Sequence, residues 1–177
     1  MTLANRLTLL RFVLTPVVAV AMLARWPGWE PISIFLVAGI ALTDLLDGIV
    51  ARRRGQVSEV GILLDPIADK FFISTVFICL VAGGLAPAWV PIVIIGREFA
   101  VTALRMRAVQ QGTKVPVRML GKVKMHVQVY AVLIVLFGAW FSPLMPLGAP
   151  ALWIAAGVTL WSGLDYFARS RQVIVGT

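Results

Sequence analysis

Long apolar stretches, separated by short breaks that contain proline, glycine and polar residues, recur along the whole chain. Six of these stretches approach the roughly 20 apolar residues that a helix needs to cross a bilayer. They cover residues 8–25, 31–51, 63–84, 88–108, 121–141 and 146–168. The breaks contain helix-stopping residues, namely Pro27-Gly28, Gly83-Gly84 with Pro87, Gly112 with Pro116, and Pro143 with Pro146. The pattern predicts an all-α polytopic membrane protein with six transmembrane helices, a short N-terminal interfacial segment and a single domain over residues 1–177.

Composition supports the membrane interpretation. The 177 residues are 60% hydrophobic and 14% charged, whereas a soluble domain is about 45–50% apolar and about 25% charged. A soluble chain of this size could not bury so much apolar surface. These values exclude a disordered chain and an ordinary cytosolic enzyme, and the single cysteine, Cys79, excludes a disulfide scaffold.

The basic residues are concentrated on one side of the predicted spans. They precede or open span one, follow spans two and six, and surround the junction of spans four and five, whereas Arg25 stands alone on the other side. The positive-inside rule then places both termini and the 52–62 and 109–120 loops in the cytoplasm. An alternative is a cleavable signal peptide ending near Ala19-Val20-Ala21, but cleavage would leave an odd number of spans.

Half of the eight acidic residues occur in one stretch, over the predicted cytoplasmic ends of spans two and three. Asp44 and Asp47 are spaced i, i+3, and Asp65 and Asp69 are spaced i, i+4, so each pair lies on one face of its helix. Because a short loop joins the two helices, we expect the two pairs to face one another.

Four converging carboxylates repel each other and are costly near a membrane, so they need cations. Mg²⁺ and Mn²⁺ prefer oxygen ligands, and two such ions close together serve phosphoryl chemistry. We therefore predict a site for two Mg²⁺ or Mn²⁺ ions. The structural alternative is that these residues cap helix ends or pair with Arg52, Arg53, Arg54 and Lys70.

The small residues around these acids suggest that a ligand approaches the backbone closely. Gly48 follows Asp47, and Gly61 lies four residues before Asp65; each costs about 1 kcal/mol in a helix relative to Ala. Ala51 continues the small face, and Arg52 adds a cation beside it.

Together these positions form a recognisable motif. It is Asp44-x2-Asp47-Gly48-x2-Ala51-Arg52-x8-Gly61-x3-Asp65-x3-Asp69. The motif resembles the full signature of the CDP-alcohol phosphatidyltransferase family. The resemblance implies metal binding by Asp44, Asp47, Asp65 and Asp69, with Asp69 as the general base. It further implies that the CDP group is bound by Asp47, Gly48, Ala51, Arg52, Gly61 and Asp65.

The resemblance also implies a reaction and its setting. An alcohol attacks the phosphorus of a CDP-linked lipid, usually CDP-diacylglycerol, and CMP leaves; direct attack and two successive displacements both remain open. Metal ions would stabilise the charge that develops on the phosphate oxygens. The expected protein is a homodimer in a bacterial-type inner membrane, with a cytoplasmic active site, membrane lipids around it and no nucleic-acid partner.

Shorter motifs elsewhere are similar to those of the phosphatidylglycerophosphate synthases within this family. They are Asn5-Arg6-Leu7-Thr8-Leu9-Leu10-Arg11, Asp65-Pro66-Ile67-Ala68-Asp69-Lys70, Gly96-Arg97-Glu98, Ala103-Leu104-Arg105, Gly121-Lys122-Val123-Lys124 and Trp161-Ser162. This likeness implies sn-glycerol 3-phosphate as the acceptor.

The alternatives are a cardiolipin synthase that uses phosphatidylglycerol, another family member with an inositol phosphate acceptor, and a metal-ion transporter. Transport is disfavoured because the acids cluster at one membrane level.

Basic residues in and after span four fit a phosphorylated acceptor. Arg97 lies near mid-membrane, where an arginine needs a pocket or a partner, and the adjacent Glu98 points about 100° away, which makes it an imperfect partner. The predicted acceptor-phosphate residues are Arg97, Arg105, Arg118, Lys122 and Lys124. The alternative is that these basic residues set the membrane topology and attract anionic lipid headgroups. His126 stands where the similar enzymes suggest a small hydroxyl residue, and its role stays open.

Overall fold

The computed structural model describes residues 3–54, 59–111 and 119–170, with side chains for 8–43, 64, 66–108, 110–111 and 123–170. Within these ranges the chain forms α-helices and one short 3-10 helix. They are α1 (Leu3–Ala24), α2 (Trp29–Arg54), α3 (Glu59–Ala82), α4 (Trp89–Gln110), α5 (Met119–Trp140), the 3-10 helix Ser142–Leu147, and α6 (Gly148–Arg169). The all-α prediction is confirmed, and each of the six apolar stretches corresponds to one α-helix.

The helices end where the sequence places its breaks. Gly28, between α1 and α2, has φ +80°, and Gly84, between α3 and α4, has φ +70°; both are left-handed conformations that favour glycine. The junction between α2 and α3 differs from the prediction, because α2 continues through Arg54 and α3 starts at Glu59. Residues 52–54 and 59–62 of the expected 52–62 loop are therefore helical. The predicted N-terminal interfacial segment is likewise part of α1 from Leu3 onward.

The described helices pack as a closed ring. In order around the ring they are α1, α2, α5, α6, α4 and α3, and α3 also touches α5 across the centre. Helices joined by short connections run antiparallel, so one end of the bundle contains the starts of α1, α3 and α5 and the ends of α2, α4 and α6. We call this the polar end, and the other the opposite end.

The centre of the ring is apolar. Phe72, Val76, Phe77 and Leu80 of α3 are buried against residues from the other helices. A smaller alanine cluster lies between α5 and α6. Because α3 is closely packed in the core, its backbone gives the polar side chains in its first half a rigid base.

The outer surface is also apolar, as expected for contact with lipid. Large exposed side chains include Phe35, Ile92, Phe99 and Trp161, each at least two-thirds exposed. Among the residues that the structure describes, two stretches are long and apolar enough by length and composition to cross a membrane, Val123–Trp140 and Ser142–Arg169. Shorter apolar helical segments cover Thr8–Ala24 and Trp29–Thr43. The structure thus agrees with a membrane protein.

Candidate active site

Of the four predicted metal ligands, Asp69, which is also the predicted base, has a described side chain. It lies on α3 toward the polar end and is 29% exposed. The side chains of the other three predicted ligands, Asp44, Asp47 and Asp65, lie outside the described residues, although α2 and α3 carry their backbone toward the same end. Whether the two aspartate pairs face one another therefore stays a prediction. The same holds for the predicted CDP-binding side chains of Ala51 and Arg52 and for the positions of Gly48 and Gly61.

Asp69 forms an ion pair with Arg11. The Arg11 guanidinium, 6% exposed, donates to Asp69 Oδ1 and joins α1 to α3. The chain around it is also tied down, since Thr15 Oγ1 donates to the carbonyl of Arg11 at 2.8 Å. Sequence reasoning assigned Arg11 to membrane topology and missed this contact. The signal available was its position within the first apolar stretch.

A second charged group links three helices. The Glu98 carboxylate on α4 accepts hydrogen bonds from Lys124 Nζ on α5 and from Arg97 Nη1, the latter at 3.0 Å. Arg97 Nη2 donates to Ser162 Oγ on α6 at 2.7 Å. All of these side chains are largely buried. This group thus supplies the partners that charges need away from water.

The expectation that Glu98 is an imperfect partner for Arg97 is wrong. The Arg97–Glu98 bond has ordinary hydrogen-bond length. The prediction considered only the angle between adjacent positions on a helix, whereas the long arginine side chain lets its guanidinium reach back to the neighbouring carboxylate. Sequence reasoning also treated Glu98 as secondary, although it is one of only eight acids in the chain.

A third polar contact closes the gap between these two groups. Lys70, which follows Asp69, donates from Nζ to Thr102 Oγ1 on α4, and that hydroxyl donates to the carbonyl of Glu98 at 2.7 Å. The charge of Asp69 acts on both Lys70 and Lys124. The three groups therefore form one connected polar region. Its side chains come from five helices, namely α1, α3, α4, α5 and α6.

The remaining predicted acceptor residues have different positions. Arg105 is exposed on α4 and lies within electrostatic range of Lys70 and Arg97. Arg118 and the side chain of Lys122 lie outside the described residues. His126 is exposed on α5. The structure thus brings Arg97, Lys124 and Arg105 into one region.

Charged side chains are concentrated in this region. Among the described side chains it contains two carboxylates, Asp69 and Glu98, against five cations: Arg11, Lys70, Arg97, Arg105 and Lys124. No group of three His, Cys, Asp or Glu side chains that could hold a metal occurs among the described residues. A metal site of the predicted kind therefore requires the aspartates outside that range, with Asp69 adding its oxygen donors.

Two buried polar atoms in this region lack a hydrogen-bond partner among the described residues. They are Arg97 Nε and the Tyr166 hydroxyl. Tyr166 of α6 lies within electrostatic range of Arg97. Buried unpaired groups are costly, so this side of Arg97 is suited to a polar ligand atom or a water.

Known proteins resemble the chain over nearly its whole length. A family model described as CDP-alcohol phosphatidyltransferase matches residues 1–161. A Bacillus subtilis (strain 168) protein named CDP-diacylglycerol–glycerol-3-phosphate 3-phosphatidyltransferase is 39% identical, over 97% of this chain and 96% of its own. A Rickettsia felis protein of the same name is 34% identical, over 96% of each chain. An Arabidopsis thaliana protein, numbered 2 under that name, is 36% identical, over 98% of this chain and 82% of its own.

Proposed function

Because the chain belongs to the CDP-alcohol phosphatidyltransferase family, we propose that it transfers the phosphatidyl group of CDP-diacylglycerol to sn-glycerol 3-phosphate. The products are phosphatidylglycerophosphate and CMP. The resemblance inferred from the aspartate motif is confirmed by the family match. The names of relatives that align over nearly their whole length support this choice of substrates.

The structural observation that carries the proposal is the group formed by Arg97, Lys124 and Glu98, with Arg105 within electrostatic range of Arg97. Arg97 and Lys124 share the one carboxylate of Glu98, and all three side chains are largely buried. Buried cations between helices with apolar outer surfaces are costly, so they call for a functional reason. An anionic acceptor phosphate supplies one, and arginines hold phosphate oxygens in defined geometry.

In this assignment the polar region has two functional parts. Asp69, held by Arg11, accepts the proton of the attacking hydroxyl. Arg97, Lys124 and Arg105 bind the phosphate of the acceptor, together with Arg118 and Lys122. The attacking oxygen forms a bond to the lipid-linked phosphorus, and the bond from that phosphorus to CMP breaks. The residues of α2 and α3 that would bind the CDP group are Asp47, Gly48, Ala51, Arg52, Gly61 and Asp65.

The metal requirement belongs to the same proposal. Asp44, Asp47, Asp65 and Asp69 would hold two Mg²⁺ or Mn²⁺ ions, which suit an all-carboxylate donor set. When bound, such ions neutralise charge on the pyrophosphate oxygens. The support from the described residues is that Asp69 lies at the end of the bundle toward which α2 and α3 carry the other three positions.

The proposed setting is a bacterial-type inner membrane crossed by all six helices, with both termini and the polar end in the cytoplasm. The apolar outer surface and the two membrane-capable stretches support the crossing. The basic residues at the polar end support the orientation. A homodimer is proposed from family analogy alone.

The decisive experiment measures CMP release by the purified protein. CDP-diacylglycerol is supplied with Mg²⁺ or Mn²⁺ and one of four acceptors: glycerol 3-phosphate, glycerol, phosphatidylglycerol or inositol phosphate. We expect release with glycerol 3-phosphate, none with glycerol, and none after chelation of the metal. Release only with phosphatidylglycerol or inositol phosphate would refute the acceptor, and release without divalent metal would refute the metal site.

A further inference from the structure

The side chain of Arg97 lies directly against the backbone of α6. A Cβ added at Gly163 would come within 2.9 Å of Arg97 Cγ, 3.5 Å of its Nε and 3.8 Å of its Cδ. Real Cβ atoms essentially never approach another heavy atom as closely as 2.9 Å. Position 163 must therefore be glycine for Arg97 to lie where it does.

The residue before this glycine holds the end of the same side chain. Ser162, which is 4% exposed, accepts the hydrogen bond from Arg97 Nη2 at 2.7 Å. The close approach at Gly163 involves Cγ, near the base of the arginine side chain. A shift at Cγ moves the whole guanidinium, because all the atoms beyond it follow. Two adjacent residues of α6 thus fix both the path and the tip of Arg97.

We infer that Gly163 and Ser162 are positioning residues, which act on the acceptor phosphate through Arg97. Glu98 neutralises the guanidinium but lies beside it on the same helix, so α6 supplies the contacts that orient it relative to α3 and α5. Neither residue belongs to the predicted phosphate-binding set. This inference rests on the proposed function, because that function assigns Arg97 to the acceptor.

The kinetic test compares two glycines of α6. Gly163→Ala should raise the KM for glycerol 3-phosphate about tenfold, as expected when a charge-assisted hydrogen bond is misplaced. The KM for CDP-diacylglycerol should change less than about twofold, because the proposed function assigns Arg97 to the acceptor phosphate. The control is Gly157→Ala, since a Cβ there meets nothing within 4 Å; both of its KM values should match wild type. Ser162→Ala should reproduce the selective rise in smaller measure.

A double-variant cycle tests whether Gly163 acts through Arg97. Gly163→Ala should lower the thermal unfolding midpoint of otherwise wild-type protein in detergent. In an Arg97→Ala background it should not, because the atoms that its Cβ would meet are gone. An equal drop in both backgrounds, or an equal rise in both KM values, would overturn the inference.

The two proposals fail in different ways. Wild-type protein that releases no CMP with glycerol 3-phosphate refutes the proposed function. The unfolding cycle needs no substrate, so it still decides whether α6 constrains Arg97. A cycle with the expected coupling, combined with an unchanged acceptor KM for Gly163→Ala in active enzyme, would refute the functional part of the inference.

Discussion

Two arginines, one in the polar region and one at the opposite end, each lie against a glycine, Arg97 through Cγ and Arg25 through Nη2, but their surroundings differ. Arg97 lies against Gly163 of α6, and Arg25, between α1 and α2, lies against Gly83 at the end of α3. Arg97 is buried and is bonded to a carboxylate and a hydroxyl. Arg25 is exposed, donates to the Gly83 carbonyl, and has its guanidinium 5.6 Å from the centre of the Trp29 ring.

The comparison shows how burial changes the partners that an arginine needs. A buried guanidinium needs fixed partners, and breaking such a pair is costly. An exposed guanidinium contributes little, because water and salt replace its contacts. Near Arg97 the fold gathers further charges, whereas the cavity of about 200 Å³ at the opposite end is lined mainly by apolar side chains, Trp89, Leu152 and Trp153 among them. Among the described residues, the buried charged side chains Arg11 and Glu98 therefore both lie toward the polar end.

The largest expected effect tests whether Asp69 makes the polar end reactive. Asp69→Asn should reduce CMP release by about 100-fold or more, because the variant can no longer accept the proton. Binding of CMP, measured by calorimetry, should remain near wild type. Asp165→Asn is the matched control, since Asp165 forms a surface i, i+4 pair with Arg169 on α6. Near-wild-type turnover by Asp69→Asn would remove this residue as the base.

The next effect tests the difference in charge burial between the two ends. Glu98→Gln should destabilise the protein by about 3 kcal/mol, because Arg97 and Lys124 lose their shared carboxylate. Denaturant unfolding in detergent measures this. Glu30→Gln, in the first turn of α2 at the opposite end, should cost less than about 0.5 kcal/mol. Equal destabilisation by both variants would contradict the distinction.

A smaller effect concerns the exposed rim of the polar region. Arg105→Ala should raise the KM for glycerol 3-phosphate about tenfold and more than the KM for CDP-diacylglycerol, because one phosphate contact is lost. Arg107→Ala is the control, because that exposed arginine in the last turn of α4 fits a topological role. If both substrates are affected equally by Arg105→Ala, the acceptor assignment is refuted.

The smallest effect is expected at the opposite end itself. Arg25→Ala should lower the unfolding free energy by less than about 1 kcal/mol, since an exposed contact is lost. Both KM values should stay at wild type, because Arg25 lies at the end of the bundle away from Asp69. A selective change in the acceptor KM would show that the opposite end also influences the site.

Most of the fold could be predicted from the chain alone. Long apolar stretches and their Gly and Pro breaks predict each helix, since the breakers act locally. The predicted second span ends at residue 51, whereas α2 continues to Arg54. A run of arginines is typical of a loop after a membrane span, yet arginine is also a good helix former. The family was likewise identified from local spacing, since its aspartate motif occupies two adjacent helices.

The candidate site was predictable only in part. Asp69, Arg97 and Lys124 could be singled out because charges are rare in apolar stretches. Their partners could not, because Arg11 and Asp69 are 58 residues apart and Arg97 and Ser162 are 65 apart. Such pairings depend on which helices become neighbours in the ring.

The sequence by itself determined the elements, their order, the family and the aspartate motif, because those depend on local composition and spacing. The tertiary structure decided which charges meet. It brings Arg11 into an ion pair with Asp69 and lets Arg97 and Lys124 share the carboxylate of Glu98. It also brings Arg97 so close to α6 that position 163 must be glycine. The physical reason is that a buried charge is tolerated only with partners at contact distance, and contact between distant segments arises only when the helices pack.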